Sequence, residues 1–546
     1  MARQAALQPR GANESSSPSA GQGTTMKIIR RADQDRLTTR GSLRKGELSD
    51  AVFDGNPLPR ELTARNWKSE GSVHRTRVLA DNLDSTRYFC GPQVSILRDD
   101  NRLVTWAAVA EVMDGAVEQR QLVLCKLSGN RPATPTPPKM ERQVIAEGPL
   151  FRHHIALDKA SGEVSVTWIT RSEDKQQIWH NGKAIETEAE MPDFPFFAFS
   201  QPPIGHVVAD KPAFGLLSYK CRKSGRLFWR RVADGEVGPE RELKLGQVLG
   251  GLSFSAYKDD VVARADLLVD GKIIPVLLKS TDAGESFGPP SQIDMSSYDA
   301  GFEVAPGYTR PVVDIGGNFH APILASNGKE SVALNYLINE GALVEAIRVT
   351  GTSPTGSLEV FPATVGHPGA HGDGTTDGFG LIMVLGTEGQ LFTSNSSAGG
   401  IFFPRSTQLN HEMPLVAAFG ATECYGSGLK PNFVSMDYIY IEADARGEPV
   451  SATAHLETWD MPLPIPKATA KSDGSRVELS VISDADLEPG KVNFRFSDPS
   501  INVLDVKVTG LRTAIVDTDR ANLKGTTLIF EVNTIFHRHY GEALVA

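Results

Sequence analysis

Ser280-Thr281-Asp282-Ala283-Gly284-Glu285-Ser286-Phe287 reads SxDxGxSF and follows an apolar run at residues 274–278. The chemistry of the octapeptide is that of a tight hairpin. Asp282 can accept hydrogen bonds from backbone N–H groups of its own turn, Gly284 admits a positive φ, and Phe287 anchors the turn in apolar surroundings. Such a hairpin suits the link between the third and fourth strands of a four-stranded β-blade.

Outward from this turn, helical periodicity is nearly absent. Short runs rich in Val, Ile, Leu, Phe and Thr recur at 93–97, 103–109, 155–157, 164–169, 261–268 and 274–278, separated by Gly, Asp, Asn and Pro. Many short strands with regular turn signals indicate an all-β sandwich, barrel or propeller. A unit also repeats: apolar strand, Asp/Gly turn, second strand, third strand, polar turn. Copies run through 154–175, 253–278 and 310–337. The polar turns after the third strand fall near 128, 172, 233, 282, 339, 397 and 443, a spacing of about 45–60 residues that suits propeller blades. Seven blades are expected. Six is the alternative, because the last unit is weak and the first needs a closing strand from residues 73–79.

The Ser280–Phe287 octapeptide resembles the Asp box of BNR-repeat propellers such as sialidases. An eroded second copy stands at Asn395-Ser396-Ser397-Ala398-Gly399-Gly400-Ile401-Phe402, with Ser397 in the place of the aspartate. The resemblance implies a sialidase-like β-propeller acting on or binding glycans at the mouth of its central channel. It further implies arginines on a sugar carboxylate, here Arg152 and Arg310, and a tyrosine nucleophile polarised by a glutamate, here Tyr425 with Glu303 or Glu423. A tyrosine needs such a partner, because its ordinary pKa of about 10 makes it a poor nucleophile at neutral pH. The chain departs from the family at Tyr88-Phe89-Cys90-Gly91-Pro92, where Cys90 occupies the position of the first-blade arginine.

Residues preceding each blade's first strand are the candidates for the mouth. They read Cys90-Gly91-Pro92, Arg152-His153-His154, Gly205-His206, Tyr308-Thr309-Arg310, a His/Asp/Gly loop, and Glu423-Cys424-Tyr425. His154 is the candidate general base of a polysaccharide lyase, with a tyrosine as acid; the other reading packs one histidine of the pair into the blade. His206, His371 and Asp373 join Arg152 and Arg310 as candidate substrate-binding groups. The loop from Gly366 to Gly378 carries His367, His371, Asp373 and Asp377, which have the chemistry to ligate a divalent metal. A surface loop is the favoured reading, and no cofactor is expected.

Length and composition bound the rest. The 546 residues exceed one core's usual reach, and the 40% apolar and 22% charged fractions are those of a globular protein. A net charge of −10 without long runs of one sign speaks against nucleic acid as a partner. Four distant cysteines without a CxxC pair are read as buried free thiols. No stretch reaches the ~20 apolar residues of a membrane span. The N-terminus lacks a signal peptide's apolar core, so a cytoplasmic protein or one exported without a cleaved leader is expected. Residues 1–66 read as a disordered or extended segment, 67–466 as the propeller, and 467–546 as a small β-sandwich. Met461-Pro462-Leu463-Pro464-Ile465-Pro466 forms a stiff boundary. A glycan is the expected partner, with a protein partner at the C-terminal unit as the alternative to catalysis.

Overall fold

The structure, a computed structural model, describes residues 27–29, 73–84, 90–97, 102–130, 139–158, 160–172, 175–200, 212–295, 298, 301–305, 310–313, 319–350, 358–361, 381–385, 389–395, 406–409, 415–424, 433–443, 450–462, 467–482, 493–498, 500–510, 513–533 and 538–546. Every regular element among them is a strand. Among the described residues, mainly antiparallel sheets follow one another along the chain as the blades of a β-propeller; they divide into seven units of about four strands, two of which are joined edge to edge in one eight-stranded sheet. Blade 1 comprises Cys90–Leu97, Arg102–Met113, Ala116–Asn130 and Lys139–Gly148. Blade 2 comprises Leu150–Leu157, Val164–Arg171, Gln176–His180 and Lys183–Ile185. Blade 3 runs through Pro192–Phe199, Gly215–Cys221 and Leu227–Ala233 to two short outer pieces, and blade 4 through Ser253–Tyr257, Asp260–Val269, Lys272–Ser280 and Ser291–Gln292.

Blade 5 has a first strand split into Glu303–Val304 and Val312–Val313, then Phe319–Ser326, Glu330–Leu337 and Ala342–Thr350. Its outer edge takes Lys27–Ile29 as a parallel strand. Blade 6 comprises Leu358–Phe361, Leu381–Leu385, Leu391–Asn395 and Ser406–Leu409. Blade 7 is built from Leu415–Cys424, Phe433–Ala443 and Val450–Pro462, and its outer strand is Val73–Asp84 from the other end of the chain. The N-terminal strand expected to complete the first unit therefore completes the last. Inner strands of successive blades touch in cyclic order, through first strands except between blades 5 and 6, where Phe319–Ser326 meets Leu358–Phe361, and the ring closes where Leu415–Cys424 pairs in parallel with Cys90–Leu97.

The repeat was legible, with two shifts of phase. Turns near 128, 233, 282, 339 and 397 do end or follow third strands, whereas those near 172 and 443 follow second strands. Strands read as nearly continuous apolar runs because each blade is covered on both faces. Trp106 and Leu122 of blade 1 share a core with Ile155 and Trp168 of blade 2. Ile169 and Ile178 of blade 2 meet Phe197, Tyr219 and Phe228 of blade 3. Phe196 and Trp229 of blade 3 meet Phe254 and Ala263 of blade 4. Ala417 and Ile439 of blade 7 complete the circle against Ala107, Val123 and Cys125 of blade 1. Each large side chain so buried contributes about 1.5–3 kcal/mol. Cys125 and Cys221 are buried free thiols, and burial pushes the Cys125 thiol up to about 11.

The Ser280–Phe287 turn links the third strand of blade 4 to its fourth, on the face where first strands end. Asp282 accepts from the backbone N–H and the hydroxyl of Ser286, at 3.0 and 2.6 Å, and from the Ser280 hydroxyl at 2.7 Å. Those bonds hold its carboxyl down at about 2. Gly284 has φ +75, and a Cβ there would stand 2.7 Å from Leu216 of blade 3. Its carbonyl accepts from Trp229 Nε1 at 3.1 Å, and Phe287 packs edge-on against the same indole. The turn is thus a clip between two blades. Its eroded counterpart at 395–402 lies, but for Asn395, outside the described residues.

Residues 467–546 form a four-stranded sheet (Lys467–Asp473, Arg476–Ile482, Thr513–Thr518, Val503–Gly510) and a three-stranded one (Asn493–Phe496, Thr527–Asn533, Arg538–Leu544). Val477, Leu479, Ala514 and Val516 of the first share a core with Phe496, Leu528 and Ala543 of the second.

Candidate functional site

First strands begin on the face opposite the Ser280–Phe287 turn, and their opening residues surround the mouth of the channel. Four of them depart from regular pairing there. Register shifts fall between Cys90 and Gln93, Leu150 and Arg152, Asp193 and Phe196, and Leu415 and Ala417. Bulges re-aim side chains, and they are enriched beside functional sites.

In blade 2, successive side chains of Leu150–Leu157 point to opposite faces of the sheet. His153 turns towards blade 1, where its Nε2 donates to the Ala108 carbonyl at 3.1 Å. His154 turns the other way, its ring 4.4 Å from that of Phe196 in blade 3. The Phe197 N–H donates to His154 Nδ1 at 3.4 Å, which leaves the proton on Nε2. That N–H is buried and has no hydrogen-bond partner among the described residues. His154 titrates well below the ordinary histidine range, because of burial first, then the charges of Arg310 and His153. It is a neutral ring and a fixed donor, and the deprotonated nitrogen a general base would use is engaged with backbone.

Arg310 stands just before Val312–Val313 and is 9% exposed. Two blades separate blade 5 from blade 2 along the chain. The Arg310 charge nevertheless acts on His154, second to burial among the causes that lower its pKa. Arg152 lies on the His154 side of its strand with its side chain 40% exposed. Its Nε is 2.7 Å from Asp193 Oδ1, an ion pair whose N–H is not aligned on the oxygen. The guanidinium carbon sits 4.2 Å above the Phe194 ring centre.

Phe194 holds φ +52, a rare conformation for a bulky residue. The Asp193 carboxylate fixes it by accepting the Phe194 N–H at 2.8 Å. Gly251 of the next blade makes room, since a Cβ there would meet the Phe194 Cβ at 2.7 Å. Lys220, paired in register with Asp193, donates from Nζ to the Val248 carbonyl. Burial lowers its pKa, and Asp193 opposes that shift.

Other predicted positions fall elsewhere. Glu303 is exposed and ion-paired with Lys272 at 2.7 Å. Glu423 and Cys424 end the first strand of blade 7 where they were expected to precede a first strand, because the second half of that strand leaves its own sheet to pair with blade 1. Blade 3 begins at Pro192, so His206 falls in the segment between first and second strands. Tyr425, His206, His371, Asp373 and the loop from Gly366 to Gly378 lie outside the described residues. Among the described residues no group of three or more His, Cys, Asp or Glu side chains could hold a metal ion.

Among the described residues two Tyr–Glu–Arg clusters occur. Tyr219 donates to Glu240 beside Arg230, and Tyr298 donates to Glu345 at 2.9 Å beside Arg348. Burial raises the Tyr219 hydroxyl, so the first cluster works against a phenolate and acts as a packing element.

Asp193, Phe194 and Lys220 escaped the sequence reading. Their signal was the pair Pro192 and Pro195 around an acid at a strand's start, which reads as a break but marks a bulge.

No protein-family model matches the chain, and no curated protein does. Solved structures resemble it in overall chain path. The polysaccharide lyase Uly1 has 10% identity and a TM-score of 0.42, over 75% of this chain and 97% of that one. A PL25 ulvan lyase has 8% identity and a TM-score of 0.36, over 70% and 95%. A protein of unknown function from Dyadobacter fermentans has 11% identity and a TM-score of 0.34, over 70% and 98%. The propeller rests on the strand pairing described above.

Proposed function

We propose that this chain is a glycan-binding propeller of the sialidase-like, Asp-box kind, taking an acidic sugar at the mouth of its central channel. The observation that carries this reading is the buried Nε2–H of His154 in blade 2, which has no hydrogen-bond partner among the described residues, together with the Arg310 charge of blade 5, which after burial helps to lower the pKa of that ring. Two arginines and a neutral N–H donor around one locus suit a carboxylate, which accepts forked, charge-assisted hydrogen bonds. Burial strengthens such contacts. Residues 467–546 then act as a separate domain offering a second surface to a protein partner, behind a lead segment of 1–66.

Binding without turnover is the better supported form. His154 is fixed as a donor, Glu303 is committed to Lys272, and Glu423 stands at the far end of its strand. Calorimetric titration with N-acetylneuraminate, glucuronate and glucose tests the binding. Wild type should prefer the two acids, and Arg310→Met should weaken both at least about tenfold, the effect of one lost charge-assisted bond. Equal affinity for glucose would overturn the acidic-sugar reading. Hydrolysis of a fluorogenic sialoside that is abolished by Tyr425→Phe would replace binding with catalysis.

A further inference from the structure

Cations and aromatic rings alternate across the mouth face of blades 2 and 3. The Arg171 guanidinium lies 4.8 Å from the Phe151 ring centre and that of Arg152 lies 5.3 Å from it. Arg152 also covers Phe194 at 4.2 Å, and Lys220 Nζ lies 5.8 Å from the same ring. The order is Arg171, Phe151, Arg152, Phe194, Lys220, and Asp193 is the acid set against its middle. Arg171 ends the second strand of blade 2 and Lys220 lies in the second strand of blade 3. The series thus has its middle on the first strands of two neighbouring blades and each end one strand further out.

Rings beneath guanidinium planes fix them in place while their N–H edges stay turned to solvent. Arg152 and Arg171 retain side-chain exposure. A backbone held at φ +52 in Phe194 is strain placed where the series turns from one blade to the next. A pocket for one terminal sugar has no use for cations spread this far.

We infer that this series is an extended subsite for a polyanionic glycan chain, engaging successive carboxylates or sulfates of the sugar whose neighbour occupies the mouth. The inference rests on the mouth reading proposed above and enlarges it from an acidic sugar to an acidic polysaccharide. Single-stranded nucleic acid offers similar charge. The aromatic rings here are engaged by cations, however, and do not stand open as stacking platforms for bases. The chain as a whole also carries a net charge of −10.

The test compares a chondroitin sulfate octasaccharide, glucuronate and dT12 as ligands of the full chain and of Arg171→Ala. Arg171 sits at the far end of the series, so its loss spares the mouth. Wild type should bind the octasaccharide more tightly than glucuronate and lose affinity as salt rises. Arg171→Ala should weaken the octasaccharide about tenfold and leave glucuronate unchanged. An octasaccharide bound no more tightly than glucuronate, or indifferent to Arg171→Ala, would overturn the subsite while the mouth reading stands. Failure of wild type to bind either sugar would overturn the mouth reading and the subsite with it. Tighter binding of dT12 than of the octasaccharide would overturn the glycan assignment.

Discussion

His154 and Arg310 define the chemistry at the scale of single residues, and both are accessible to titration. Arg310 lowers the His154 pKa, so Arg310→Met should raise it. Burial remains, so the new value should still lie below the ordinary histidine value of about 6.5. Histidine-selective NMR titration of both proteins reads this directly. His180, held neutral by burial, titrates at about 4. A base whose pKa is depressed on folding stabilises the native state fully above its unfolded pKa. That contribution fades as pH falls from about 6.5 towards 4, by on the order of 3 kcal/mol for His180 alone. Thermal unfolding should therefore weaken over that window, and His180→Gln should flatten the profile. Asp282 has the opposite sign of charge, and its contribution is lost only between about 4 and 2.

Elements differ in how plainly their residues announce them. The Ser280–Phe287 turn is legible because its bonds are local. Asp282, Gly284 and Ser286 carry the geometry within one octapeptide, and only the docking on Trp229 and Leu216 is long-range. Gly284→Ala should therefore destabilise the propeller by about 1–3 kcal/mol, from a strained φ and a crowded Leu216. Denaturant unfolding would measure it, and a neutral result would contradict the clip. The first strand of blade 3 is illegible for the converse reason. Pro192 and Pro195 discourage a strand in isolation; Pro192 is accommodated as the strand's first residue and Pro195 within the bulge between Asp193 and Phe196. That one misread boundary moved the mouth of blade 3 to His206 and hid Asp193 and Phe194. Arg310 stands ahead of its strand as the sequence indicates, whereas Arg152 and His154, expected before a strand, lie inside Leu150–Leu157, which opens two residues earlier than Arg152. What sets blade 5 across from blade 2 is ring closure, which no local pattern records.

Closure of the ring is the property of the whole molecule on which the site depends. Blade 7 takes its outer strand, Val73–Asp84, from the N-terminal side and its other three from residues 415–462. The two ends of the propeller are thus fastened in one sheet. Deleting residues 1–84 should expose the edge of Val450–Pro462, lower the melting temperature and promote association through that unpaired edge. Light scattering with thermal unfolding would show it, and an unchanged monomer would contradict the closure. Closure also holds blade 5 opposite blade 2, and so Arg310 opposite His154. The most direct measurement is the histidine NMR spectrum of the full chain, titrated with glucuronate and then with glucose. An acidic sugar at the mouth should shift the His154 Nε2–H resonance, glucose should not, and Arg310→Met should abolish the shift. Glucuronate binding that leaves the His154 resonance unmoved would contradict the account, because the acid would then sit elsewhere.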